Sequence, residues 1–190
     1  NQLIQPLEGL PCRFDHPLTM EVAYREVGEA RHRAIHRMVA AALEQLHANQ
    51  LERYAGLIAS HFAEGNAAER AAHYAFLAGQ RAAELSAWAE AIAFYQQALT
   101  SADDTRRLTI YQALGTAYMY AGAPAQAADE LRTAVALAEQ RNEGAIADRA
   151  RLLLARTLMA QARFAEAIAI AQQILAHGIP DYQIDTELLW

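Results

Sequence analysis

Two apolar stripes of helical period stand side by side in the stretch from Tyr111 to Leu137, YQALGTAYMYAGAPAQAADELRTAVAL. Leu108, Tyr111, Leu114, Gly115 and Tyr118 fall on one side of a first helix, and Ala127, Leu131, Ala134 and Ala138 on one side of a second. The AGAP between them breaks the helical run and suits two antiparallel neighbours better than one long helix. Neither helix can bury its stripe against the other alone. A unit of this kind needs copies of itself.

The copies are present. Gly79, Ala91, Tyr95 and Ala98 stand 36 residues before Gly115, Ala127, Leu131 and Ala134. Ala155, Ala167, Ala171 and Ile174 stand 40 residues after that same set. Trp88, Pro124 and Phe164 introduce the second helix of each copy. The chain is 54% hydrophobic, and much of that fraction is alanine, which favours helix and lets helix axes approach closely. Runs of alternating β-branched residues are missing, so the predicted fold class is all-α, a stack of antiparallel helix pairs.

Taken in order, residues 1–18 are punctuated by Pro6, Gly9, Pro11 and Pro17. Their short apolar pieces (Leu3, Ile4 and Leu7, then Cys12 and Phe14) predict a β-hairpin or irregular strands. Helix is expected to begin near Pro17. Further helices are expected over Glu29–His47, Gln50–Ala63, Ala68–Leu85 and Trp88–Leu99. The run SADDT at 101–105 is a strong helix start, because short oxygen-bearing side chains cap free N–H groups. Helices to Ala121 and Gln140 follow, then Ala145–Ala160, Phe164–Ala176 and a short one from near Asp181. This divides the chain into an N-terminal segment, 1–48, and a helical array, 49–190, with its clearest copies at 68–100, 105–140 and 145–176.

Cys12 has no second cysteine to pair with, which fits a reducing, cytoplasmic setting. No apolar run approaches the roughly 20 residues that span a bilayer, and no secretory leader is evident. The sequence starts at Asn1 and stops at Trp190 in an apolar LLW, which reads as a piece of a longer polypeptide. A net charge of −6, with both signs interspersed, argues against a dedicated nucleic-acid surface.

The array over 68–176 resembles the tetratricopeptide repeat (TPR), whose nominal period is about 34 residues. The matching residues are Gly79, Gly115 and Ala155 late in the first helix, Ala91, Ala127 and Ala167 early in the second, and Tyr95 four residues on. The long periods, the missing tryptophan of the first helix and the missing proline at the unit ends depart from that pattern. The resemblance implies a right-handed superhelical solenoid. The N-terminal half, with RFDHPLTMEVAY, ARHRAIHRMVAAALEQL, SHFAEGN and AAHYAFLAGQRAAELSAWAEAIAFYQQAL, is similar to the segment after the ATPase core of bacterial STAND-type ATPases. These include LuxR-type transcriptional regulators and some adenylyl cyclases. Its landmarks are Phe14, His16, Glu21, Tyr24, His36 and the Tyr95-x-x-Ala98-Leu99 ending. The resemblance implies the end of a winged-helix-like element within 1–48. No GxxxxGK(S/T) phosphate loop is present, so nucleotide hydrolysis is not assigned to this chain.

Reactive constellations are weak. His32 and His36 stand one turn apart, as two metal ligands would, but no third ligand is predictable, and His61, His73 and His177 are isolated. Arg31, Arg33 and Arg37, with Arg25 upstream, are the one basic concentration, and Glu21, Glu26 and Glu29 balance them as on a solvated face. Asp103-Asp104 sits at a helix start, where negative charge is favourable, and Asp129-Glu130 lies on a polar helix side. No catalytic residue, cofactor or metal is therefore assigned, and an enzyme is not expected.

The TPR resemblance implies that first helices line the concave side. That face offers His73, Phe76, Gln80 and Glu84, then Thr109, Gln112, Thr116, Met119 and Tyr120, then Arg149, Leu152, Arg156 and Met159. Packing against neighbouring turns is an equal reading for Phe76 and Leu152. The carboxylate clamp of chaperone-binding TPRs is not reproduced, since its positions carry Gln80, Thr116 and Arg156. The expected function is a protein-interaction or regulatory module that binds a protein segment or a neighbouring domain on this face. The alternative is a sensor of a small-molecule effector within the superhelix.

Overall fold

The computed structural model describes residues 4–7, 10–14 and 28–176. Residues Ile4–Leu7 (β1) and Leu10–Phe14 (β2) pair antiparallel, with Ile4 opposite Phe14 and Leu7 opposite Leu10. The described residues from 28 onward form eight helices: α1 Glu29–Leu46, α2 Leu51–Glu64, α3 Ala68–Glu84, α4 Trp88–Leu99, α5 Asp104–Tyr120, α6 Pro124–Gln140, α7 Gly144–Ala160 and α8 Phe164–Ala176. Each packs on the next, and α5 also touches α7. The predicted helix start near Pro17, the landmarks His16, Glu21 and Tyr24, Arg25 of the basic concentration, His177 and the helix from Asp181 lie outside the described residues.

The turns follow one recipe. Asn66, Ser86, Gly122, Asn142 and Ala162 all adopt positive φ, between 52° and 76°, at the centre of a three-residue connector. The next residue then donates its N–H back to a carbonyl five residues earlier: Ala67 to Phe62, Ala87 to Ala82, Ala123 to Tyr118, Glu143 to Ala138 and Arg163 to Leu158. This left-handed cap satisfies the last helical carbonyls and reverses the chain within three residues, so each helix doubles back on its predecessor. The α4–α5 connection differs. It is four residues long and ends on Asp103, whose carboxylate accepts from the Arg106 N–H at 2.7 Å. The predicted cap is thus Asp103 in particular. At the α2–α3 turn the left-handed residue is Asn66. Gly65 is instead small because α1 crosses there, where a Cβ would meet Arg37 Cγ at 2.7 Å.

The core is a band of small residues and the larger ones that fill beside them. Gly79 receives the ring of Tyr95, and Gly115 receives Leu131; a Cβ on either glycine would lie 2.5 and 2.4 Å from those side chains. Ala91, Ala98, Ala127 and Ala134 are wholly buried, as the aligned register expects for close helix crossings. One cluster runs from Ala40 in α1 to Ala117 in α5, and two smaller ones continue it through α5, α6, α7 and α8. In the second half the polar stitching also repeats. Arg141 bonds the Asp104 carbonyl and Gln161 bonds the Pro124 carbonyl, with both partners displaced by 20 residues. A buried Asp148–Arg151 ion pair at 2.6 Å, extended to Glu139, ties α7 to α6.

Candidate functional site

Residue 73 and its neighbours gather charged and polar groups from three helices. Glu44 of α1, Glu69, Arg70, His73 and Tyr74 of α3, and Arg106 of α5 line an open recess of about 410 Å³. These are alternate helices of the array, brought side by side because each intervening helix turns the chain back. Arg70 and Arg106 stand 36 residues apart, the displacement that relates Gly79 to Gly115, so they are the same position in successive copies.

Within the recess, Glu44 accepts hydrogen bonds from the Arg70 guanidinium and the Tyr74 hydroxyl. The Arg70 guanidinium also lies 4.1 Å from the centroid of the Phe62 ring, which covers one of its faces. Burial, reinforced by the hydrogen bond to Glu44, pushes the Tyr74 hydroxyl up to about 12, so it stays a donor at neutral pH. The His73 imidazole is pushed below the ordinary histidine range, first by burial and then by the Arg106 charge. The site therefore presents two guanidinium groups, a neutral imidazole and two carboxylates, one of which is committed to Arg70 and Tyr74.

The other expected site residues are distributed along the array. Phe76 sits beside the Tyr95 ring, 5.7 Å between centroids, at the edge of the core. Gln80 is exposed, and Glu84 pairs with Arg81 at 2.9 Å. Thr109 is exposed. Gln112 donates to the Ile146 carbonyl at 3.4 Å, and Met119 Sδ accepts from the Thr157 hydroxyl at 3.8 Å, so both face α7. Thr116 spends its hydroxyl on the Gln112 carbonyl. Tyr120 stacks on Trp88 at 4.7 Å, which joins the end of α5 to the start of α4. Arg149, Arg156 and Met159 are exposed on α7, away from the recess. The structure thus brings His73 into a cluster and leaves the remaining candidates spread over three copies.

His61 is not isolated. Its Nδ1 lies 2.9 Å from Nδ1 of His36, whose ring is in turn 4.6 Å from that of His32. Among the described residues, no group of three potential ligands is arranged to hold a metal ion. Arg33 pairs with Glu29, consistent with a solvated face. Asp129 holds Arg132, while partial burial and the neighbouring Asp129 charge push the Glu130 carboxyl up.

Glu44, Glu69, Arg70, Tyr74 and Arg106 are the site residues that sequence reasoning misses. The 36-residue displacement linking Arg70 to Arg106 is the signal that would have found two of them. Compared with known proteins, the chain matches no family model, and no curated protein is significantly similar to it. Among the described residues no helix is long and apolar enough to cross a membrane.

Proposed function

We propose that this chain is a non-catalytic interaction module of a bacterial STAND-type signalling or transcription-regulating ATPase, working in the cytoplasm. In this reading it is a TPR-like right-handed solenoid whose first-helix face binds a protein segment or a neighbouring domain. The observation that carries the reading is the recess shared by α1, α3 and α5, where polar groups from three successive pairs converge. In a stacked array each pair contacts only its neighbours, so relative rotation between pairs is the soft motion. A segment that bridges three pairs binds one curvature better than another. It shifts the array toward that curvature by its difference in affinity, and that shift is what a domain joined to the array would sense.

Site-specific photo-crosslinking in the parent polypeptide tests this. A benzophenone side chain at Glu69, exposed in the recess, or at Thr109, exposed one helical turn from Arg106, is expected to capture a defined protein target or another domain of the same polypeptide. The same group at Glu90 or Asp129, exposed on α4 and α6, serves as the comparison. Equal capture from both sets, or none from the first, would refute the interaction reading. The second reading is a small-molecule effector sensor, and the size and charged lining of the recess support it.

A further inference from the structure

The charges of the recess are unevenly matched. Glu44, Arg70, Tyr74 and Phe62 lock one another in place. Arg106 is different. Among the described residues, the one carboxylate within ion-pair range of it is Asp103, at the limiting 4.0 Å, and Asp103 already spends an oxygen on the Arg106 backbone N–H. Arg106 also sits in the first turn of α5, where the helix dipole disfavours a cation, so the fold gains little from holding it there. Beside it stands the His73 ring, half-buried and inside the same recess. The charged groups facing that ring are Glu44 from α1, Arg70 from α3 and Arg106 from α5; the two arginines disfavour a proton on it and Glu44 favours one. Of these charges Arg106 bears on the ring most strongly.

We propose that this edge is a carboxylate subsite: the Arg106 guanidinium forks onto the two oxygens, and the His73 ring, taking up a proton, donates to one of them. Arg70, held rigid by Glu44 and Phe62, forms the cationic wall behind. A carboxylate that enters while His73 takes up one proton leaves the net charge of the recess unchanged. The planar fork matches a carboxylate in shape as well. The subsite rests on the proposed function only for the identity of the carrier, which that reading takes to be an acidic side chain of the bound segment.

The test is NMR observation of the His73 ring in the 190-residue chain, titrated with succinate, with inorganic phosphate, and with an acetylated, amidated tripeptide bearing a central glutamate. Saturable shifts of His73 with succinate are expected, tighter as pH falls, with the His73 pKa rising on saturation. Arg106→Gln should weaken binding about tenfold or more, Arg106→Lys should restore part of it, and neither should change the helical content. No saturable shift, an undiminished one in Arg106→Gln, or binding of phosphate without succinate would overturn the subsite. Binding of succinate and the tripeptide alike supports a protein segment as carrier. Binding of succinate alone keeps the subsite and counts against the segment reading, in favour of a free effector.

Discussion

Gly115→Ala places the smallest possible side chain against Leu131, and its outcome follows from two opposed quantities. The helix gains about 1 kcal/mol from replacing glycine with alanine. The added Cβ, however, would lie 2.4 Å from Leu131 Cγ, 2.8 Å from Cδ2 and 3.1 Å from Cδ1, where carbon atoms prefer about 3.5–4.0 Å. Cγ is the branch point of the side chain, and Leu131 is 1% exposed, so it cannot swing away. Overpacking of this kind costs about 1–3 kcal/mol, and the contact places Gly115→Ala toward the upper end. A net loss of about 1–2 kcal/mol is expected. Leu131→Ala alone should cost about 2–5 kcal/mol. In that second background the clash is gone and the same Gly115→Ala change should stabilise by about 1 kcal/mol. The sequence itself contains this compensated pair, because Ala155 and Ala171 stand 40 residues after Gly115 and Leu131. A double-mutant cycle from guanidinium melts followed by circular dichroism reads the coupling directly. If Gly115→Ala changes stability equally in both backgrounds, or stabilises the parent, the packing register is wrong.

Ala162→Gly should stabilise the chain by about 1 kcal/mol. A left-handed non-glycine residue costs about 1–2 kcal/mol, partly offset by the entropy glycine loses on folding, and the equivalent Gly122 already sits at φ 76°. A lower melting temperature for this variant would count against the strain at φ 59°. Acidification should destabilise the fold. His36 and His73 are both held below the ordinary histidine range, chiefly by burial, and His36 further by the positive forms of His32 and His61 against the opposing Glu64. The unfolded chain therefore takes up these protons first, so stability is flat above the unfolded value and falls as pH drops through it toward the folded ones. His36→Gln should flatten the fall, and an unchanged pH profile would show that the cluster does not carry it.

The helices are legible in the sequence because their apolar stripes repeat at helical spacing, and the observed ends lie within two residues of those expected. The turns are legible in part. Asn66, Gly122 and Asn142 are residue types that tolerate positive φ, whereas Ser86 and Ala162 carry no such signal. Their conformation is imposed by the packing of the helices on either side. The recess is harder to read. The TPR resemblance points to His73, but Glu44 comes from α1, outside the aligned copies, so nothing local announces it. The proximity of His61 to His36 fails for the same reason: a 25-residue separation becomes a 2.9 Å contact only once α2 has folded back on α1.

The repeat register that pairs Arg70 with Arg106 also sorts the expected binding face. Gln112 and Met119 touch the following first helix, α7, at Ile146 and Thr157. Their equivalents 40 residues on are Leu152 and Met159, which are 54% and 58% exposed. We read these two as stacking positions, since a stacked array places the same side chain against the next unit in every copy. Arg156, between them, is equivalent to Thr116 and belongs to the same strip. Under the proposed function, a partner is left with the recess around His73 and Arg106, which those contacts do not cover. The small-to-large packing pairs hold successive helices together, and under the proposed function the residues free of that duty would meet the partner.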